Sequence, residues 1–406
     1  MPATSLNPFR VLVAHRNFRR FWTGQTLSQI GTWMQSVAQG WLALELSDDP
    51  LLVGLVAAAG SLPVLFLSLH AGVLADRVSK LRLVTLAQGL MLLQATALWW
   101  LVASGRVTIG WLVALATVNG ILQAVDVPAR QALVVELVGR DDLLDAIALN
   151  STGFNLARII GPSIAAVVIA RAGLAWCFGL NALSYLAVLA GLLRVRLPAA
   201  EARRATVGAI EGLREGLRYV RSTPTVATLL RLTAVYSVFG LPYLTLMPVF
   251  ARDVLGLGAS GYGTLLSCVG VGAIAGALFL AAVGRRVRRG RLLAFAATAF
   301  AALLIALSFV RTSELAAAVL LLCGLTMILT NAITNGLLQT TAPDEFRGRV
   351  MSVHALLFIG MSPAGAIISG AIARWLGVDA AIGIGASIVL GFALFSLVRH
   401  PEVRRL

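Results

Sequence analysis

The feature that most limits what this chain can fold into is a series of long apolar runs with almost no charge. The stretches Leu51 to Ala71 and Ala294 to Val310 offer no polar face, so neither can lie on the surface of a water-soluble domain. Such runs can cross a hydrocarbon core of about 30 Å as helices of roughly 20 residues. The composition agrees, since 58% of the residues are hydrophobic and 13% are charged, whereas soluble domains carry about 25% charged residues. The sequence therefore predicts a protein that lies in a lipid bilayer.

Charged residues and Gly or Pro clusters divide these runs into twelve predicted spans. Their approximate bounds are 19–45, 52–75, 81–103, 108–127, 146–170, 174–194, 226–250, 261–283, 292–310, 314–338, 348–373 and 379–398. We expect helices, because a helix satisfies its backbone hydrogen bonds within one segment of chain. The prediction is an all-α membrane protein with twelve transmembrane helices in two pseudo-symmetric bundles of six. The bundles comprise residues 1–197 and 225–406, and a cytoplasmic linker with an amphipathic helix comprises residues 198–224.

The distribution of basic residues predicts the orientation. Of the 33 Lys and Arg residues, 26 fall before, between or after spans on one side, and five fall on the other. The richer side is expected to be cytoplasmic, which places both termini in the cytoplasm of a bacterial plasma (inner) membrane. The net charge of +15 is spread over many turns near the membrane, so it favours anionic lipid headgroups over nucleic acid as a partner. We found no removable signal segment at the N-terminus.

Weak internal similarity supports two matched halves. The segment NGILQ at 119–123 recurs as NGLLQ at 335–339, the basic turn that begins at Gly72 matches one at Gly284, and the Gly-Pro pair at 161–162 matches a Ser-Pro pair at 362–363. Transporters built from such repeats place their substrate site between the halves, near the middle of the membrane.

The turn between the second and third predicted spans reads GVLADRVSKLR, with Gly72, Asp76, Arg77, Lys80 and Arg82. This stretch resembles the signature turn of the major facilitator superfamily, and the spans, halves and loop lengths agree over essentially the whole chain. An aspartate among cations at converging helix ends can act as a latch between two states. The bases can also be read as a topology signal only.

The resemblance implies partners for this aspartate. The family's aspartate contacts the start of the eleventh span and an arginine near the fourth, which correspond here to Arg347, Arg349 and Arg130. Ser79 replaces the family's usual glycine, and the second-half counterpart, GRRVRRGR, has no aspartate. We therefore expect the second latch to be weak or absent.

The fifth predicted span carries Gly161, Pro162 and several alanines at spacings that resemble the small-residue pattern of exporters in this superfamily. Small residues let helices approach closely, and generic packing is the other reading. The segments PDEFRGRV at 343–350, DVPARQALVVELV at 126–138 and NFRRFWTGQ at 17–25 resemble the enterobactin-exporter and macrolide-efflux branch.

Polar side chains mark the predicted transport route, because a polar residue inside a span is costly unless it faces a cavity or a partner. In the first span they share one helical face, with an aromatic residue beside them, and they form shorter rows in the fourth and fifth spans. The first row is Gln25, Gln29, Thr32, Ser36 and Gln39, flanked by Trp33. The other candidates are Asn119, Gln123, Asp126 and Arg130 in the fourth span, Ser151, Asn155 and Arg158 in the fifth, and Tyr236, Tyr243, Asn331, Thr334, Asn335 and His354 in the second half.

Two of these residues have alternative interpretations. Arg158, midway along its span, can meet the substrate, or it can pair with interhelical carbonyls or with Asp126. A single His354 is more often an interior hydrogen-bonding residue than a proton carrier. Proton coupling needs a carboxylate that changes its protonation state, and the sequence places Glu45 and Asp126 at span ends.

These patterns favour secondary active export of a small organic compound, drug-like, macrolide-like or siderophore-like, by alternating access. The superfamily's habit of proton exchange implies proton antiport in a monomer, and import of a nutrient is the alternative. The four histidines and the three isolated cysteines show no metal-binding or catalytic spacing, and the chain lacks a phosphate-binding loop. We therefore predict no enzyme activity, metal or cofactor. A receptor that transports nothing would leave the polar row in the first span without a clear use.

Overall fold

The computed structural model describes residues 10–139, 141–195, 209–284 and 287–405, and within those ranges the chain is helical with no β-strand. The long helical segments are α1 (Arg16–Ser47), α2 (Pro50–Arg77), α3 (Lys80–Ala103), α4 (Ile109–Val138), α5 (Leu143–Ala172), α6 (Ala175–Leu192), α7 (Pro224–Val254), α8 (Ala259–Val283), α9 (Arg289–Ser308), α10 (Ser313–Thr341), α11 (Asp344–Leu376) and α12 (Val378–Arg399). A linker helix, Ala209–Ser222, lies between α6 and α7, and short helices, Arg10–Ala14 and Pro401–Arg405, lie near the two ends.

The lengths and compositions of these segments suit a bilayer. Eleven of them, within the described ranges, are long and apolar enough to cross a membrane. The remaining one, α1, has 32 residues, or about 48 Å at 1.5 Å per residue, but carries the predicted polar row. Large apolar side chains point outward, with Phe66, Leu93 and Phe295 exposed by 65%, 64% and 65%. Apolar surface of this extent is typical of contact with lipid, and the all-α membrane architecture is confirmed.

Local sequence signals set several helix ends. The Ser79 hydroxyl accepts a hydrogen bond from the backbone N–H of Arg82 and caps the start of α3, and Thr108 caps α4 in the same manner. Such caps satisfy backbone N–H groups that have no partner inside the helix. Gly173 and Gly377 follow α5 and α11 with φ angles of 86° and 87°, which only glycine adopts without strain.

Helix α4 ends at Val138, whereas the sequence predicted an end near residue 127. Pro128 lies inside the helix and removes one backbone donor without ending it. Beyond the proline, Leu133 and Leu137 are buried at helical spacing, so the extension has an apolar face packed in the protein. The prediction was wrong because it took the polar residues that follow Asp126 as a loop.

Helices α7 and α11 are irregular. Helix α7 contains two π-helical turns, Tyr236–Gly240 and Phe250–Val254, and α11 is interrupted at Met361, just before Pro363. A π turn interrupts the regular hydrogen-bond ladder and is frequent at functional positions. Both helices belong to the second predicted bundle.

Residue contacts divide the chain into two compact units. Unit 1 comprises residues 1–39 and 66–205, and unit 2 comprises residues 40–65 and 206–406. The core of unit 1 includes the fully buried Phe18, Phe21 and Leu133, and that of unit 2 includes Leu229 and Leu293. The last eight residues of α1 and the first part of α2, up to Leu65, thus belong to unit 2.

Candidate functional site

The polar row of α1 lies on one side of the helix, opposite a side chain that faces outward. Gln25 is buried, Gln29, Thr32 and Gln39 are half-buried, and Ser36 is exposed. Leu27, on the opposite side of the helix, is 55% exposed. The hydrogen-bonding groups of the row thus share one face of α1, and the side chain of Leu27 points away from them. Within unit 1, the Thr32 hydroxyl lies 3.4 Å from the Tyr185 hydroxyl of α6.

The small residues of α5 bring that helix close to α1. A Cβ atom added to Gly161 would lie 2.5 Å from the Cβ of Trp33 and 2.9 Å from the carbonyl oxygen of Ile30. Neither distance is compatible with a side chain larger than hydrogen unless the helices move. Trp33 also packs edge-on against Phe154, with the ring centroids 5.8 Å apart. The close approach expected of the small-residue pattern, including the buried Pro162, is therefore present between α5 and α1.

A buried carboxylate occupies the interior of unit 1. Asp126 in α4 is 2% exposed, and its Oδ2 lies 3.3 Å from the guanidinium of Arg130, one turn later. The side-chain amide of Gln88 in α3 donates to Asp126 Oδ1 at 3.0 Å. Asn119 and Gln123, earlier on the same helix, are half-buried. The predicted row of α4 is thus a helical face, and its acid lies 12 residues before the helix end.

The fifth-span candidates occupy different environments. Arg158 is half-buried near the middle of α5, while Ser151 and Asn155 are exposed. The amide of Asn155 donates to the carbonyl oxygen of Ser151 at 2.9 Å, within its own helix.

The basic turn after α2 is only partly described. The surroundings of Gly72 and the side chains of Asp76 and Arg77 lie outside the described part of the structure. Lys80 lies 3.2 Å from Glu136 of α4, and Arg82 is exposed. One base of the turn, at the start of α3, therefore pairs with the extension of α4.

Two of the three predicted partners of Asp76 lie at the start of α11, and both have contacts within unit 2. Arg347 pairs with Asp344, and its Nε donates to the carbonyl oxygen of Gln339 at 2.9 Å. Arg349 lies 2.7 Å from Glu215 of the linker helix. Arg130, the third predicted partner, is the residue that pairs with Asp126.

The second-half candidates are mostly interior. Tyr236 and Tyr243 are buried, and their rings lie 4.9 Å and 5.9 Å from that of Phe300. His354 is 5% exposed and stacks on Phe358. Asn331 and Asn335 are half-buried, Thr334 is buried, and Asn335 accepts a hydrogen bond from Gln339.

Sequence reasoning did not find the ion pairs at the turn between α1 and α2. Arg252 of α7 pairs with Asp48, and Asp49 lies 3.4 Å from Arg374 of α11. Nearby, a Cβ atom at Gly54 would lie 2.3 Å from the carbonyl oxygen of Ala366, so α2 and α11 are in backbone contact. The available signal was opposite charge on the same predicted side of the membrane. These contacts explain why residues 40–65 belong to unit 2.

Comparison with known proteins agrees with this architecture. Residues 3–405 match the family described as transmembrane secretion effector. The multidrug efflux pump Tap of Mycolicibacterium fortuitum is 28% identical over 362 residues, which cover 86% of this chain and 87% of Tap. The enterobactin exporter EntS of Escherichia coli O1:K1 / APEC is 26% identical over 382 residues, covering 93% and 87%. A crystal structure of the peptide transporter POT superposes with a TM-score of 0.78 at 13% identity and covers 99% of each chain, which shows the fold alone.

The helical spans, the halves and these matches define a membrane transporter of the major facilitator superfamily. Within it, the chain belongs to the transmembrane secretion effector family, whose model spans nearly its whole length. The predicted family is confirmed, and the relatives named above are transporters rather than enzymes. The chain is an integral membrane protein with a small-molecule substrate.

Proposed function

We propose that the protein exports a small organic compound across the bacterial plasma membrane by alternating access. The polar row of α1, which lies on one face of that helix, is the observation that carries this proposal. Five polar side chains on one face of a membrane helix are costly unless they bind water, solute or one another. Asn119, Gln123, Asn155 and Arg158 extend the proposed route on α4 and α5, and they suit a ligand with both apolar surface and polar groups.

Export is favoured over import by two observations. The α1–α5 contact at Gly161 is close, which suits a pump that must not leak solute backward. Named relatives at similar coverage include a multidrug efflux pump and an enterobactin exporter. We further propose that protons moving inward drive the export, that both termini are cytoplasmic and that the protein works as a monomer.

The test is accumulation of a compound panel by inverted membrane vesicles with an acidic interior. The panel contains macrolides, catecholate and carboxylate siderophores, and cationic dyes. An exporter accumulates at least one of them when the gradient is imposed and loses it when the gradient is collapsed. Gln29→Ala and Gln39→Ala should reduce the initial rate several-fold, while Leu27→Ala on the opposite face of α1 should leave it unchanged. Accumulation by right-side-out vesicles alone would establish import.

A further inference from the structure

A groove of about 640 Å³ lies between α9 and α12 in unit 2. This volume is typical of small-molecule sites, which occupy about 300–1,000 Å³. Its walls are large apolar side chains, Ile305 and Phe309 from α9 and Ile384 and Ile388 from α12. Phe309, Ile384 and Ile388 are exposed, and exposed apolar side chains of an integral membrane protein contact lipid. The groove therefore opens toward the bilayer.

Small residues form the floor of the groove. A Cβ atom added to Gly383 would lie 3.3 Å from the Ser308 hydroxyl oxygen, so α9 and α12 approach closely beneath the walls. The Ser308 hydroxyl donates to the carbonyl oxygen of Ile305, and the Ser387 hydroxyl donates to that of Gly383, each at 2.7 Å. Both hydroxyls are thus satisfied within their own helices. The interior of the groove suits a hydrocarbon chain better than a polar solute.

An ion pair lies at one end of the groove, where Arg311 Nη2 donates to Asp379 Oδ2 at 2.8 Å. Helix α9 has 20 residues, or about 30 Å, which matches the hydrocarbon core, and Arg311 follows its last residue by three positions. Trp375, at the adjoining end of α11, is 81% exposed, as expected at a membrane–water interface. The ion pair therefore lies at the level of the lipid headgroups, and the apolar part of the groove extends from it into the hydrocarbon.

The hydrogen bonding of this pair is incomplete on the acidic side. The second carboxylate oxygen of Asp379, Oδ1, is covered and has no hydrogen-bond partner among the described residues. A carboxylate can accept several hydrogen bonds, and its last torsion is broad, so a small rotation presents either oxygen to a new donor. Arg311 Nη1 donates to the carbonyl oxygens of Ser308 and Val310, which fixes the guanidinium at the mouth of the groove. More than half of the Arg311 side chain is nevertheless exposed and accessible to an acceptor.

We propose that this groove binds a phospholipid with an ethanolamine headgroup. The ammonium group donates to Asp379, the phosphate accepts from Arg311, and one acyl chain lies between α9 and α12. Under the proposed orientation this lipid belongs to the outer leaflet. The inference goes beyond the proposed export, because it depends on neither the direction of transport nor its coupling.

The chemistry of the ion pair selects this headgroup among the common ones. Arg311 and Asp379 together carry no net charge, so they do not favour a purely anionic headgroup, whereas a zwitterion meets each charge with its opposite. A primary ammonium carries three N–H donors, which the carboxylate of Asp379 can accept. The trimethylammonium of phosphatidylcholine carries none. Ethanolamine thus supplies the donor that Asp379 lacks.

A headgroup series tests the assignment with the full-length protein in detergent. The probes are phosphatidylethanolamine, its monomethyl and dimethyl derivatives, phosphatidylcholine and phosphatidylglycerol, all with the same acyl chains, and native mass spectrometry measures the bound lipid. Wild-type affinity should fall with each methyl group, by about tenfold from phosphatidylethanolamine to phosphatidylcholine, because the charged hydrogen bonds are lost. Phosphatidylglycerol should bind no better than phosphatidylcholine.

Asp379→Asn should bind all members of the methylated series equally. Asp253→Asn is the matched control, since Asp253 also pairs with an arginine and is similarly exposed but lies outside the groove. This variant should keep the wild-type order of affinities. A steep series in Asp379→Asn would show that another group reads the ammonium.

The position of the acyl chain is tested by filling the groove. Ser387→Phe should lower the affinity for every lipid several-fold, whereas Ala302→Phe, at an exposed position of α9 outside the groove, should not. The proposal is overturned if the wild type binds phosphatidylethanolamine and phosphatidylcholine equally, or if Ser387→Phe binds lipid as well as Ala302→Phe. Competitive displacement of the bound lipid by a compound of the transport panel would assign the groove to solute instead. The wild-type series needs no variant, so it decides the headgroup even if Asp379→Asn does not fold.

Discussion

Glu215 of the linker helix lies 2.7 Å from Arg349 at the start of α11, and this pair joins the connecting segment to a membrane helix. The guanidinium of Arg349 also lies over the ring of Phe346, 5.3 Å from its centroid, and Tyr219 of the linker helix stacks on the same ring. The sequence indicated an amphipathic helix at the membrane interface. The structure shows that one side of this helix packs against protein, so the linker is fixed to α11 within unit 2.

Loss of the linker contact should weaken the second unit by a small amount. Both members of the Glu215–Arg349 pair are more than a third exposed, so a double-mutant cycle with Glu215→Gln and Arg349→Gln should give a coupling of at most ~1 kcal/mol. Tyr219→Ala should lower the melting temperature more than Glu215→Gln, because it removes a stacked ring. Thermal unfolding in detergent measures both effects. A larger loss in Glu215→Gln than in Tyr219→Ala would contradict this ranking.

The α2–α11 contact is predicted to depend on glycine. A Cβ atom at Gly54 would lie 2.3 Å from the carbonyl oxygen of Ala366, and one at Gly370 would lie 2.8 Å from that of Pro50. Gly54→Ala should therefore push the helices apart and expose the neighbouring part of α2. In a background without native cysteines, labelling of Ala58→Cys by a membrane-impermeant maleimide should rise several-fold, because Ala58 is fully buried in the structure.

Gly89→Ala is the matched control for this experiment, since a Cβ atom there would have no neighbour within 4 Å. Labelling should stay at the wild-type level in this variant. If Ala58→Cys is labelled equally with and without Gly54→Ala, then α2 and α11 accommodate the added methyl group without separating.

The helices could be predicted from sequence because the bilayer imposes a length and a polarity on each span. Ser79 and Gly377 lie where the pattern of charge and glycine suggested an end, and the polar row of α1 was recognisable from its spacing alone. The end of α4 was missed because the buried Leu133 and Leu137 alternate with charged residues. The mean hydropathy of such a segment is low, although one of its faces is apolar.

The contacts of the candidate site were harder to predict, since each partner comes from a distant part of the chain. Arg252 pairs with Asp48, which lies 204 positions away, and no local pattern marks such a pair. In the sequence, nothing distinguishes Gln88 from other polar residues within spans, and only the structure shows its contact with Asp126. Sequence therefore identified the polar residues of the first bundle but not the partner that each one has.

The α1–α5 seam should be sensitive to a single methyl group. In Gly161→Ala, the added Cβ atom would meet Trp33 and the backbone of α1, and overpacking of this type costs about 1–3 kcal/mol. The melting temperature should fall, and passive leak of an accumulated compound should rise. Gly391→Ala in α12 should change neither quantity, because that position has open space around it. An unaltered melting temperature in Gly161→Ala would mean that the seam relaxes freely.

Arg158 should contribute to the binding of acidic or polar ligands. We expect Arg158→Ala to weaken the affinity for anionic members of the panel roughly tenfold, since a charged hydrogen bond contributes about 1.5 kcal/mol. Arg158→Lys should restore part of the affinity, because it keeps the charge. Ligand-induced quenching of tryptophan fluorescence in detergent measures these affinities. If all ligands bind both variants equally well, Arg158 is a structural residue.

Asp76→Asn should slow transport while the protein remains folded and inserted. The family resemblance implies that Asp76 acts as a latch that uses Arg349 in one state, and the structure shows Arg349 bound to Glu215. If the two acids compete for one guanidinium, Glu215→Gln should favour the latched state, and adding Asp76→Asn should cancel that effect. Asp145→Asn, an exposed acid in the first turn of α5, serves as the control. Initial transport rates and fluorescence-detected size exclusion together separate a lost latch from a lost fold, and a full transport rate in Asp76→Asn would remove the latch role.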